Sequence, residues 1–138
     1  MTQKYYLDTC IWRDYFENRS DNLRPLGDWA HTLIKKIRLE SGLIIYSDLV
    51  EEELFTEFDE AEVKKIISIV PEENIIRINS SKKQFDEALS LKKRQGVPVK
   101  DALHAILARD NGAIFVTRDK HLNVLADKFK INKPEELI

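Results

Sequence analysis

Four acids far apart in the chain sit where they could act together. Asp8 ends the apolar run 5–7, and Asp119 follows the apolar run 113–116 after Thr117 and Arg118. Glu53 lies in the acidic stretch that follows the apolar run 43–46, and Asp101 opens an Ala-rich stretch just after Pro98. Taken singly, an aspartate at a helix start is explained as a cap that satisfies free N–H groups and complements the helix dipole. Glu53 taken singly is one of several solvated acids beside Glu51 and Glu52. Capping explains each acid alone but does not predict all four on one edge of a fold. Carboxylates brought within a few ångströms raise one another's pKa values, and a divalent cation removes that conflict. Oxygen-only donors select Mg²⁺ or Mn²⁺ over zinc. Such an ion turns water into a nucleophile and clamps a phosphoryl group, so the residues point to metal-assisted phosphoester hydrolysis.

The elements that must position these acids alternate. Apolar runs at 3–7, 42–47, 74–79, 113–117 and 128–132 read as strands, the one at 74–79 as an edge strand. Helical spacing predicts helices over 10–18, 28–41, 48–58, 59–70, 80–96 and 98–112, with a short one over 119–127. The segment 18–28 is rich in turn residues. The helix over 98–112 is opened by Pro98 and closed by Asn111-Gly112. It is apolar on most sides, through Ala102, Leu103, Ala105, Ile106, Leu107 and Ala108, which predicts deep burial. Alternation of this kind implies a parallel sheet with helices on both faces and right-handed crossovers. Parallel strands point the same way, so residues just past their ends share one edge, where open α/β sheets hold their ligand crevice. Asp8 and Asp119 fall on that edge directly.

Bulk properties narrow the classes. At 138 residues, the chain is expected to be one domain over 1–138 with room for a real core. A net charge of −2 gives no global attraction to nucleic acid, so binding RNA would need local cations. There is no apolar run of membrane-spanning length and no signal-peptide pattern at the start, which favours a cytoplasmic protein. One cysteine, Cys10, excludes an internal disulfide and a Cys-rich zinc site. With no activating partner evident, Cys10 reads as a small packing residue rather than a nucleophile. Phosphate-cradling glycine motifs and the G-x-S-x-G elbow are absent. The three histidines, His31, His104 and His121, have no zinc spacing. His104 lies one turn past Asp101 and either approaches the acids or packs.

Three blocks in order, "YYLDTCIWRDYFENR", "IIYSDLVEEEL" and "PVKDALHAILARDNGAIFVTRDKHL", resemble those of PIN-domain proteins of the VapC-like toxin type. The resemblance runs from the first strand to the end of the chain. It implies a three-layer α/β/α sandwich around a mostly parallel sheet. It also implies a Mg²⁺- or Mn²⁺-dependent ribonuclease, commonly dimeric, held inactive by an antitoxin. By position, Asp8, Asp101 and Asp119 match the family's acids. Glu53 fits the remaining one best, with Glu51 and Glu52 as rivals. Asp8 and Asp101 would be direct metal ligands, with Glu53 and Asp119 helping or acting through water. Thr9 and Thr117 match supporting hydroxyls, joined here by Ser47 at the end of the second strand. Cys10 stands where the family often has Asn or Ser, a departure that removes no carboxylate.

RNA would meet Arg118 and Lys120 beside Asp119, and Arg13 one helical turn past the first strand; these are the expected substrate-binding cations. Trp12, Tyr15, Phe16, Trp29 and Leu33 either form the core or, in part, a dimer or antitoxin surface. The competing readings are a non-catalytic α/β module that binds a partner or RNA, and a dehalogenase-type phosphatase. The latter would want a second aspartate where Cys10 stands. A receiver domain is disfavoured because paired acids after the first strand and a lysine after the last are not evident.

Overall fold

The computed structural model describes residues 2–20 and 22–138. Expectations that touch residues 1 and 21, the N-terminal start and part of the turn-rich segment 18–28, lie outside them. The strands are β1 (Lys4–Leu7), β2 (Leu43–Ser47), β3 (Ile75–Ile78), β4 (Ala113–Val116) and β5 (Ile131–Asn132). The helices are α1 (Thr9–Glu17), α2 (Leu26–Leu39), α3 (Asp48–Phe55), α4 (Glu60–Ile67), α5 (Lys82–Gln95) and α6 (Val99–Asp110).

One five-stranded sheet runs in the order β3-β2-β1-β4-β5, and each pairing is parallel. The sheet is therefore wholly parallel rather than mostly so. β1 lies at its centre, with Tyr6 opposite Ile45 on one side and Phe115 on the other. Strand order runs outward from β1 in both directions. The connections leaving β1 and β4 therefore part company at their carboxyl ends, and a crevice opens there. α1 to α4 pack with one another, and α5 packs on α6, which lies against β4. The result is a helix–sheet–helix sandwich, its core built on Trp12, Tyr6, Leu7, Phe115, Ile37 and Ile106.

Local chemistry accounts for the helix ends. Ser81 and Asp59 make reciprocal capping boxes with Gln84 and Glu62, at α5 and α4 respectively. Gly96 ends α5, with φ of +72°, a conformation an L side chain adopts only with strain. α6 is buried without a break from Ala102 to Ala108, as its all-round apolarity predicts. Several boundaries differ from expectation. The segment 119–127 is a 3₁₀ turn over Lys120–Leu125, capped by Asp119 and anchored by buried Leu122 and Leu125. β5 shrinks to two residues at the sheet's edge. α2 begins two residues early, at Leu26, where Gly27 packs against the Asn18 backbone and leaves no room for a Cβ.

Trp12 and Leu33 are wholly inside this chain's own core, with Tyr15 and Phe16 packed against it. Trp29 is half-buried, with the Arg118 guanidinium 5.4 Å above its ring. Core packing accounts for Trp12 and Leu33, while Tyr15, Phe16 and Trp29 keep part of their surface exposed. Among the described residues, no helix is long and apolar enough to cross a membrane.

Candidate active site

Asp8 is the residue just past β1. Its backbone N–H still donates to Val116 on β4 (2.9 Å), so it sits at the point where strand order reverses. Its carboxylate accepts from the Thr9 backbone N–H on Oδ1 (2.7 Å) and from the Thr117 hydroxyl on Oδ2 (2.7 Å). The Thr117 hydroxyl in turn accepts from the Asp119 N–H (3.1 Å). Thr9 donates its own hydroxyl to Glu53 Oε1 (2.9 Å). The two threonines thus tie three acids to the ends of β1 and β4.

Asp8, Glu53, Asp101 and Asp119 all line one open cleft of about 330 Å³, together with Thr9, Cys10, Arg13 and Arg118. A larger groove of about 560 Å³ between α3, α4 and β3 contains none of the four acids. Asp8, Glu53 and His104 offer ligand atoms within 4.8 Å of one another, and so do Asp101, Asp119 and His121. Burial, and then the neighbouring Asp119 carboxyl with which it is in hydrogen-bonding contact, pushes Asp101 up to about 7; Asp8 adds to the effect. Uncompensated repulsion of this kind is what a cation relieves, and the donors are mostly carboxylate oxygens. The residues present therefore fit a hard divalent ion.

Of the three adjacent glutamates, only Glu53 faces this cleft. Glu51 pairs with Arg77 on β3 (2.6 Å), and Glu52 lies 3.6 Å from Lys100 on the outside of α3. Burial would raise the Glu53 pKa, but the His104 hydrogen bond and charge, with help from Thr9, bring it below the usual value. Asp8 and Asp119 also do the bland work expected of them. Asp8 caps α1, and Asp119 accepts from the His121 N–H (2.9 Å). Asp101 makes no capping bond, and Pro98 holds that position.

The other expected residues are placed unequally. Arg13 lines the cleft, bonding the Glu53 carbonyl (3.5 Å) and pairing with Glu57 (3.2 Å). Lys120 lines the adjoining hollow of about 320 Å³ beside Asn123, Asn132 and Lys133. Ser47 is fully buried and caps α3 through Val50 (3.3 Å), so it does not line the cleft. The Cys10 thiol points at Asp8 Oδ2 (3.7 Å), and burial followed by the Asp8 charge pushes its pKa well up, which suits a packing thiol rather than a nucleophile.

Arg118 lines the cleft, but its guanidinium is also held by buried Asp14 (3.2 Å) and by Glu135 (2.9 Å) near the chain's end. Asp14 was not singled out in the sequence, where it reads as one polar residue on a helix face. Arg118→Met is expected to cost about 3 kcal/mol, because it leaves the Asp14 carboxylate buried without its partner. Denaturant unfolding should show this as a lower midpoint at unchanged slope. A loss below about 0.5 kcal/mol, the scale of an exposed pair, would contradict it.

His104 is the residue that sequence reasoning left undecided. It is 1% exposed, yet its Nε2 lies 2.5 Å from Glu53 Oε1 and 3.7 Å from Asp8 Oδ1. Its Nδ1 meets the Tyr6 hydroxyl (2.7 Å), which meets Ser47 Oγ (2.7 Å). Two spacings in the sequence could have signalled this. His104 is three residues past Asp101 on a helix, and Tyr6 two residues before Asp8 on a strand, so each shares a face with an acid.

Comparison with known proteins gives the same frame. A toxin–antitoxin complex from Klebsiella pneumoniae contains a chain 17% identical, with TM-score 0.63, covering 94% of this chain and 97% of that one. VapBC2 from Rickettsia felis, bound to a DNA fragment from its promoter, gives 18% identity and TM-score 0.65, covering 95% and 98%. PAE2754 from Pyrobaculum aerophilum gives 20% identity and TM-score 0.56, covering 99% and 95%. No curated protein matches the chain by sequence. The PIN domain family model matches residues 5–128, nearly the whole chain and all four acids of the cleft, and this protein belongs to the PIN domain family.

Proposed function

We propose that this protein is an endoribonuclease that depends on Mg²⁺ or Mn²⁺ and hydrolyses RNA phosphodiester bonds. We read it as the toxin of a toxin–antitoxin pair and as a homodimer, acting in the cytoplasm as one domain over 1–138. The observation that carries the reading is the convergence of four carboxylates, from four separate segments, on one cleft at the sheet's switch point. Membership of the PIN family supports it, and the toxin–antitoxin complexes among the structural relatives support the antitoxin partner.

Asp8 and Asp101 would hold the ion directly, with Glu53 and Asp119 completing the set or acting through water. When bound, such an ion lowers the pKa of a water molecule to make it a nucleophile, and offsets charge on the phosphodiester. Thr9 and Thr117 hold the Glu53 and Asp8 carboxylates in place by hydrogen bonds. Lys120 supplies positive charge at an edge whose acids alone would repel the RNA backbone, and Arg13 and Arg118 line the cleft with guanidinium charge partly offset by Glu57, Asp14 and Glu135. Purified protein should cut single-stranded or structured RNA with Mg²⁺ or Mn²⁺ and stop when excess EDTA is added. Cleavage that continues in excess chelator would sink the metal dependence. Binding of RNA without cleavage at any metal concentration would instead point to the non-catalytic module.

A further inference from the structure

α6 is buried from Ala102 to Ala108, and His104 is the single polar side chain in that run. An imidazole placed in such a layer costs free energy unless its nitrogens are paired. Both are paired, and the partners lead to the cleft. Nε2 contacts Glu53 on α3 and Nδ1 contacts Tyr6 on β1. Tyr6 contacts Ser47 at the end of β2, the residue that caps the helix carrying Glu53. With the proton on Nε2, the chain is consistent throughout. Ser47 donates to Tyr6, Tyr6 donates to Nδ1, and Nε2–H donates to Glu53, while Ser47 Oγ accepts from the Val50 N–H.

We propose that His104 is the positioning residue for Glu53, fixing carboxylate oxygen Oε1 through a buried His104–Tyr6–Ser47 chain so that Glu53 is presented to the cleft in one orientation. Glutamate has three rotatable bonds, and α3 alone does not choose among its rotamers. Thr9 supplies one contact to Oε1 and His104 a second, from the opposite layer of the fold. Two donors from two elements leave the carboxylate little freedom before any ion or substrate arrives. Ring packing keeps the imidazole itself from turning. Tyr6 stands edge-on to it at 5.6 Å, and Phe115 lies at 6.3 Å with nearly parallel rings.

This inference rests on the ribonuclease reading, and its test separates the two. The measurements are Mn²⁺ affinity by calorimetry and the single-turnover cleavage rate of a labelled oligoribonucleotide. His104→Leu keeps the packing volume and removes both nitrogens. It should weaken Mn²⁺ binding or slow cleavage by roughly 10–100-fold, the usual effect of losing a group that orients a metal ligand. His104→Gln, which retains an N–H donor, should recover part of that loss. In a Glu53→Gln background, His104→Leu should change Mn²⁺ affinity by less than about twofold, because its effect passes through the carboxylate already removed. If His104→Leu does not fold, Tyr6→Phe takes its place under the same criterion. A folded His104→Leu protein with wild-type affinity and rate overturns the inference. A loss equally large in the Glu53→Gln background overturns it as well, and is the result expected if His104 binds metal in its own right. Wild-type protein that neither binds Mn²⁺ nor cuts RNA would instead remove the ribonuclease reading itself.

Discussion

Asp119→Asn is expected to lower RNA cleavage by at least about a hundredfold while leaving the metal-free protein as stable as before, or more so. The two halves of that expectation separate the two jobs Asp119 holds. As a cap, Asp119 accepts from the His121 N–H at 2.9 Å, and asparagine caps as well as aspartate. Were capping its whole role, both activity and stability would survive the change. As a member of the cleft, it stands against Asp101, and its carboxyl is the largest influence after burial in pushing Asp101 up to about 7. Asparagine keeps the shape, removes one charge from the group proposed to hold the ion, and relieves Asp101 of that charge. Asp8→Asn and Asp101→Asn should behave alike in cleavage. Single-turnover rates on a labelled oligoribonucleotide and chemical unfolding in EDTA measure the two halves. An Asp119→Asn protein that cuts at the wild-type rate would show Asp119 to be a cap alone.

Raising pH from 5 to 8 should destabilise the metal-free protein, and Mn²⁺ should reverse the trend. Asp101 titrates near 7 in the folded state, well above a free aspartate at about 3.9. Between those values the folded state holds a proton that the unfolded chain has released. Stability therefore falls as pH rises, and the Asp101 contribution is lost once pH passes about 7. One other group pushes the same way in this window. Burial would lower the His104 pKa, but the Glu53 hydrogen bond and the surrounding carboxylates raise it above its usual value. Asp14 is also raised, because burial outweighs its pairing with Arg118, but from an ordinary value that lies below this window. Glu53 is shifted downward, so its contribution is lost only in acid, below the window considered. An ion that binds the folded state at a hundred times its dissociation constant adds about 2.7 kcal/mol. For a chain of this size that is roughly 8–12 °C of melting temperature. Thermal unfolding at pH 5, 6, 7 and 8, in EDTA and in Mn²⁺, provides the test. A melting temperature that rises from pH 5 to 8 without metal would contradict the carboxylate repulsion on which the site rests.

Alternation of strand and helix, the burial of α6 and the placement of Asp8 and Asp119 at strand ends were all legible in the residue order. Each depends on local periodicity and on one rule of parallel sheets, that strand ends share an edge. Short apolar runs followed by Asp or Ser are strong local signals, and the tertiary structure had little freedom to contradict them. Weak local signals gave the poorer boundaries. The last strand is short and lies at the sheet's edge, and it keeps only the two residues that pair with β4.

Only the tertiary structure decided among Glu51, Glu52 and Glu53. Consecutive helix positions point about 100° apart, and the angle at which α3 docks on β2 and α1 chooses which one enters the cleft. The same holds for Arg118, whose guanidinium is claimed by Asp14 and Glu135, 104 and 17 residues away. It holds most for His104, whose partners Glu53 and Tyr6 lie on two other elements, with Ser47 on a third behind Tyr6. Sequence periodicity says which face a side chain is on. Which atoms that face then meets is set by how separate elements pack, because a hydrogen bond is made or lost over a few tenths of an ångström and the spacing of residues along a chain carries no such resolution.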